Sequence, residues 1–269
     1  MRKNLKLTIF GIMALLLILI AVFAEMICPY DPYKQDLTNA YQAPGVFHLM
    51  GTDAFGRDML SRIIVGARVS ILYTFLLVAI IAILGSIVGV ICGYYGGAVD
   101  AIVMRISDLC LAFPGLVFAL AVAAILGGGI VNAVIALMMV SWPKYSRVAR
   151  GLTMAIKKTS YISAAKLAGD TVGQIILRHI FPNIAGPILV TATMDIGTMM
   201  MELAGLSFLG LGAQPPVAEW GSMMSGGRSM LQTYPWVVLS PGLAIFISVA
   251  IFNLFGDALR DVIDPKNNG

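Results

Sequence analysis

Long apolar runs separated by short polar breaks dominate this chain, and their lengths set the first expectations. Arg2, Lys3 and Lys6 precede an uncharged run from Leu7 to Ala24. At about 18 residues it approaches the roughly 20 apolar residues that cover a bilayer's hydrocarbon core. Glu25-Met26-Ile27-Cys28-Pro29 is a poor small-residue cleavage site, so the run reads as a retained helix and not as a signal peptide. A second span is expected from about Val69 to Cys92, led in by an amphipathic stretch from Asp58 in which Met59-Leu60 and Ile63-Ile64 alternate with Arg62 and Arg68. The stretch from Met104 to Val140, with Asp108 near its start, is too long for one crossing. Gly127-Gly128-Gly129 supplies the break and predicts spans at about 104–126 and 130–146. A fifth span starts near Ile184 and ends at the glycines between Gly205 and Gly212, and a sixth covers about 236–255.

The polar breaks differ in charge. Between residues 28 and 69, Lys34, Arg57, Arg62 and Arg68 balance Asp31, Asp36, Asp53 and Asp58. In residues 144–183, Lys144, Arg147, Arg150, Lys157, Lys158, Lys166 and Arg178 face a single acid, Asp170. Loops rich in Lys and Arg stay cytoplasmic, so the basic stretch belongs on the side of the N-terminus. Four crossings between them give the same answer, and six place the C-terminus there too. The chain thus divides into an N-terminal helix with an extracytoplasmic segment, 1–68, and a transmembrane domain, 69–269, containing the loop 144–183.

Composition sharpens this picture. Of 269 residues 59% are hydrophobic and 12% charged, with a mean hydropathy of +0.89, so lipid is the main solvent. The net charge of +4 is concentrated in a few segments, which favours a topological role over nucleic-acid binding, and no nucleic-acid partner is expected. Cys28, Cys92 and Cys110 have neither metal nor disulfide spacing, and no Walker A, HExxH or GxSxG pattern occurs. Met194, Met199, Met200, Met201, Met223 and Met224 point in different directions on their helices, so they read as packing residues. His48 and His179 are expected on opposite sides of the membrane. No catalytic or metal site is predicted.

Three patterns remain as candidates. Gly85, Gly89 and Gly93 recur every four residues in one helical column, which lets a neighbouring helix approach closely. Thr191, Asp195, Thr198 and Glu202 form one stripe on the fifth span. A charge at the bilayer centre costs roughly 2.5–3.5 kcal/mol, so these acids should face protein or water. The stripe reads either as interhelical hydrogen bonding among its own threonines and acids, as the lining of a passage, or as a proton relay. In the basic stretch Ala164, Ala165, Ala168 and Gly169 give a predicted helix a small-residue surface, followed by a turn and a second helix reaching Pro182. It is either a solvated loop that fixes topology or an element that docks into a partner's groove.

Here the chain resembles a known family, the integral-membrane permeases of ABC transporters. Their cytoplasmic loop reads EAA, three residues, Gly, nine residues, I-x-L-P. Ser163-Ala164-Ala165, Gly169 and His179-Ile180-Phe181-Pro182 stand in that register, with Ser163 in place of the acid. Gly51-Thr52-Asp53, Gly56-Arg57-Asp58, Gly66-Ala67-Arg68-Val69-Ser70, Glu219-Trp220-Gly221, Gly256-Asp257-Ala258-Leu259-Arg260-Asp261 and Asp264-Pro265 resemble the dipeptide, oligopeptide and nickel subfamily, second or C-type subunit. The resemblance implies an all-α fold of six transmembrane helices, the type I importer permease. It implies a paired homologous permease, two cytoplasmic ATPases that bind the ATP and Mg, and an extracytoplasmic substrate-binding protein. Ser163, Ala164, Ala165, Gly169, Asp170 and Pro182 would then form the ATPase-coupling element, and Thr191, Asp195, Thr198 and Glu202 the translocation path. This chain would hold no cofactor and carry no enzymatic step. The substrate would be a di- or oligopeptide or chelated nickel. A proton-coupled secondary transporter using Asp195 and Glu202 stands as the alternative.

Overall fold

The computed structural model describes residues 2–263. Asp264 and Pro265 of the tail motif lie outside the described residues, as do the side chains of Arg2 and Lys3. Regular structure among the described residues is helical, and the β pairing present is an isolated antiparallel bridge between Thr52 and Asp58.

Helix α1, Arg2–Val22, is followed by a single turn, α2, Ala24–Ile27. Residues 28–58 then fold over one end of the bundle with a short 3₁₀ turn at Leu37–Asn39. α3, Met59–Tyr95, is one continuous helix of 37 residues, so the amphipathic lead-in and the second span are a single rod crossing residues 68 and 69. Asp58 caps it by accepting from the Ser61 N–H at 2.7 Å. Gly96, at φ 67°, stops it.

The third span departs from expectation. α4, Gly97–Leu111, and α5, Gly115–Ile125, are bent 92° apart. Pro114 has no N–H to continue the ladder and pushes the residue before it out of helical geometry, so the chain turns at Ala112–Pro114. α5, of 11 residues, covers only about 16 Å and needs α4 to complete the crossing. Asp108 therefore sits in the last turn of α4, not near a helix start.

α6, Ile130–Ile156, runs ten residues beyond the expected end at 146, so Lys144, Arg147 and Arg150 are helical and not loop residues. α7, Ser160–Leu167, and α8, Val172–Gln174, follow it. A π-helical stretch, Ile175–Ile180, then leads without a break into α9, Phe181–Phe208. The second helix thus does not end at Pro182, because that proline lies in the first turn of α9, where a missing N–H leaves no bond unmade. α10, Trp220–Gly227, occupies a segment in which no helix was expected. α11, Trp236–Ile263, extends past residue 255 and takes Asp257, Arg260 and Asp261 onto the helix.

By length and composition α1, α3, α9 with its lead-in, and α11 suffice to cross a membrane, and the bent α4–α5 pair makes a fifth span. α6 is the sixth long helix, kept apart by the cations of its second half. α3 is the hub, packing most extensively on α6 and also on α9 and α1, while α11 packs on α9 and α1. At Gly85 and Gly93 an added Cβ would lie 2.6 and 2.8 Å from the Trp142 and Arg150 carbonyls, and at Gly89 it would meet the Ser146 carbonyl. These three glycines thus bring the backbones of α3 and α6 into contact. Both ends of the described chain lie at the end of the bundle that carries α7, and α10 lies at the other.

Candidate functional site: a displayed short helix and a buried ion pair

α7 separates an anchor from a displayed face. Ile162 is fully buried in a small core of its own with Val90, Tyr94, Ala149, Ile175, Ile180 and Ile184. Ser163, Ala164, Ala168 and Gly169 are exposed, Ala165 is half-buried, and Leu167 is 91% exposed at the tip. The small residues give this face little relief, and one large aliphatic side chain projects from it.

The turn after α7 is tightly determined. Gly169 takes φ +92°, a left-handed conformation that other residues adopt only with strain. The Asp170 N–H donates to the Ala165 carbonyl and the Gly169 N–H to that of Lys166, both at 3.1 Å, closing a Schellman motif. Asp170 lies 3.0 Å from His179 Nε2, tying the turn to the π-helical stretch. Thr171 and Gln174 form a reciprocal capping box. Lys157 donates to the Tyr94 carbonyl at the end of α3 and stands 5.2 Å from the Tyr94 ring. α7 is therefore held at both ends while its outer face stays free. Pro182 is exposed just beyond.

The basic stretch is less lopsided than its sequence suggests. Lys144 donates to Asp195 at 2.5 Å, Arg147 pairs with Asp108, and Arg150 makes two hydrogen bonds to Asp100 at 2.5 and 2.6 Å. Three of its cations thus have acids supplied by α4 and α9, separated in sequence by 39 to 51 residues.

The α9 stripe does not form one environment. Asp195 is 2% exposed and takes Lys144 on one oxygen and the Tyr145 hydroxyl, at 3.0 Å, on the other. Its partners come from α6 and not from the stripe's threonines. Thr191 donates back to the Pro187 carbonyl of its own helix at 2.8 Å, a bond that satisfies the hydroxyl locally. Thr198 is exposed on this chain and Glu202 is half-buried. The Lys144 side chain is 52% exposed, so the pair is buried on the acid side and open on the cation side. Leaving such a buried carboxylate without its cation is costly.

Sequence reasoning missed three features. Lys144 and Tyr145 as partners of Asp195 left no signal at short range. Leu167 gives no sequence signal of display, because an apolar residue on an amphipathic helix reads as core. Glu219, which the sequence offers only as part of the Glu219-Trp220-Gly221 motif, is 1% exposed. It caps α10, accepting from the Gly221 and Ser222 N–H groups at 3.0 and 2.8 Å. Burial pushes its carboxyl above the usual range, and the backbone hydrogen bonds from Gly221 and Ser222 oppose the shift.

Known proteins resemble the chain over almost its full length. Residues 85–269 match the family described as "Binding-protein-dependent transport system inner membrane component", and residues 2–44 match the "N-terminal TM domain of oligopeptide transport permease C". The dipeptide transport system permease protein DppC of Alkalihalophilus pseudofirmus is 43% identical over 267 residues, 99% of this chain and 88% of the relative. The glutathione transport system permease protein GsiD of Escherichia coli O157:H7 is 43% identical over 260 residues, 96% of this chain and 86% of the relative. Among solved structures, the inward-facing MetNI methionine ABC transporter aligns with a TM-score of 0.61 at 19% identity, covering 77% of this chain and 98% of that one. This last likeness establishes the fold alone.

Proposed function

Because this chain belongs to the family of binding-protein-dependent transport inner membrane components, and within it to the C-type permeases of the peptide and nickel importers, we propose that it translocates di- or oligopeptides. The family role is that of a multi-pass permease subunit, with ATP hydrolysis carried by separate ATPase chains and substrate delivered by a binding protein. The peptide class rests on relatives named for dipeptide and glutathione transport. Nickel has no comparable support.

In this reading the partner permease is a homologue, the two forming a heterodimer, and both termini lie in the cytoplasm with α7. The observation that carries the coupling role is the division of α7 into a buried anchor, Ile162, and a free outer face made by Ser163, Ala164, Ala165 and Gly169. Asp170 holds its turn through the Ala165 carbonyl and His179, and Pro182 lies beyond it at the start of α9. A lever that transmits nucleotide-driven motion must be rigid at its root and closely fitted at its tip, since slack at either end dissipates the displacement. Thr198 and Glu202, displayed on the open side of α9, would line the path between the two permeases, with Asp195 and Thr191 behind them. The ATP and its Mg belong to the ATPases. The proton-coupled alternative gains no further observation, because both oxygens of Asp195 are engaged by Lys144 and Tyr145.

The test is reconstitution with the paired permease, the ATPases and the binding protein in lipid. Dipeptide-loaded binding protein should stimulate ATP hydrolysis, and a nickel-chelate-loaded one should not. Failure of the ATPases to associate at all would overturn the coupling reading. Stimulation by nickel chelate alone would overturn the substrate.

A further inference from the structure

At the end of the bundle opposite α7, two buried guanidiniums share one carboxylate. Arg57 is 8% exposed, Arg62 4% and Asp53 6%. Asp53 is saturated. Its Oδ1 accepts from the Phe55 and Arg57 N–H groups, and its Oδ2 takes Arg57 Nε at 2.7 Å and lies 3.5 Å from Arg62 Nε. Arg62 spends another donor on the Pro32 carbonyl at 3.0 Å.

Arg57 is different. Only its Nε is engaged, so the two η nitrogens have no acceptor among the described residues. They are not sealed in either, since the enclosed side-chain atoms left without partners are four serine hydroxyls. They open onto a cleft whose walls include Tyr41, Phe55, Arg62, Pro215 and Ser222. The guanidinium carbon sits 4.6 Å from the Phe55 ring centroid, a cation–π contact on the cleft wall.

Neither neighbouring acid pairs with a guanidinium of the cleft. Asp58 is held by His48 at 2.9 Å, by the Ser61 hydroxyl and by the start of α3. Glu219 accepts from Ser70, Gly221 and Ser222, and no arginine is among its donors. The cleft therefore carries one positive charge more than its own carboxylate neutralises. Buried charge calls for a counterion, and a guanidinium with one edge free binds a planar two-oxygen acid best.

We infer that this cleft is a receptor for a carboxylate, taken on the free edge of Arg57 with Arg62 supplying the second positive charge. Its volume of about 160 Å³ leaves room for a carboxylate and a short attached chain, at roughly 10–15 Å³ for each water-sized group. The carboxylate ends either a small solute or a protein side chain, and the chemistry of capture is the same.

The full chain in lipid nanodiscs, treated with phenylglyoxal, reports on Arg57 through adduct formation read by peptide mass spectrometry. Glycylglycine at about nine times its Kd should slow modification of Arg57 about tenfold, since protection scales with ligand occupancy, while glycylglycine amide, which lacks the carboxylate, should leave it unchanged. Protection by the binding protein instead, lost when that protein's carboxylates are amidated, would assign the group to a protein side chain. That arm alone depends on the importer reading. In Arg57→Lys, which keeps the charge and loses the fork, glycylglycine should no longer raise the thermal midpoint. No protection by any carboxylate, or equal protection by the amide, overturns the inference.

Discussion

The two ends of this molecule both collect polar residues, and they treat them in opposite ways. At the α10 end Asp53, Arg57, Asp58, Arg62 and Glu219 are all more than nine-tenths buried. They are bound to one another, to backbone N–H groups and to helix starts. At the α7 end Ser163, Ala164, Lys166, Ala168 and Gly169 are exposed, and the burial is done by isoleucines beneath them. Buried charge is costly to misplace, so the first end is stiff and intolerant of change. An exposed small-residue face contributes little to stability, so the second is free to be shaped for a partner.

The contrast is broken most severely by Asp53→Ala. Two guanidiniums would lose their shared acid, and uncompensated buried charge typically costs about 3–5 kcal/mol. The variant is expected to lose thermal stability in detergent by the largest margin, with the 28–58 segment becoming protease-sensitive first. Unchanged stability would mean that this network is not what holds the segment. Next comes the seam between the ends. Gly89→Leu places side-chain atoms where the Ser146 carbonyl and Ala149 Cβ already are. Overpacking of this kind costs about 1–3 kcal/mol, or more where backbone must move. It should separate α3 from α6, seen as weakened disulfide trapping between cysteines placed on the two helices. The smallest stability effect belongs to Leu167→Ala. The side chain is 91% exposed, so the chain's own unfolding should shift by no more than about 0.5 kcal/mol. Association with the ATPases should nonetheless fall, as read by co-purification. Normal co-purification would remove Leu167 from the docking face.

Much of the architecture was legible in sequence because lipid imposes simple rules. A stretch of about 20 apolar residues, a glycine column and a basic loop carry their meaning locally. The Gly85, Gly89 and Gly93 column is a case in point, since helical periodicity alone aligns those residues. The bend at Ala112–Pro114 was within reach of the same reasoning but was hidden inside an unbroken apolar run. α10 was masked by its glycines and by its shortness. Helix ends were the least accurate part, because α6 and α11 carry charge well past the point where hydropathy falls. Once other helices supply partners, that charge no longer ends a helix.

By itself, then, the sequence determined the all-helical membrane class, the order of the spans, the α3 face that meets α6, the turn at Gly169 and the family. These follow from hydropathy, periodicity and motif register, each readable within a few tens of residues. Tertiary structure alone decided the pairing of Lys144 and Tyr145 with Asp195, of Arg147 with Asp108 and of Arg150 with Asp100. It also decided the burial of Glu219 and the unmatched edge of Arg57. The physical reason is that the energy of a charge depends on what surrounds it in space. In a folded bundle those surroundings come from segments tens of residues away, and the sequence holds no local record of them.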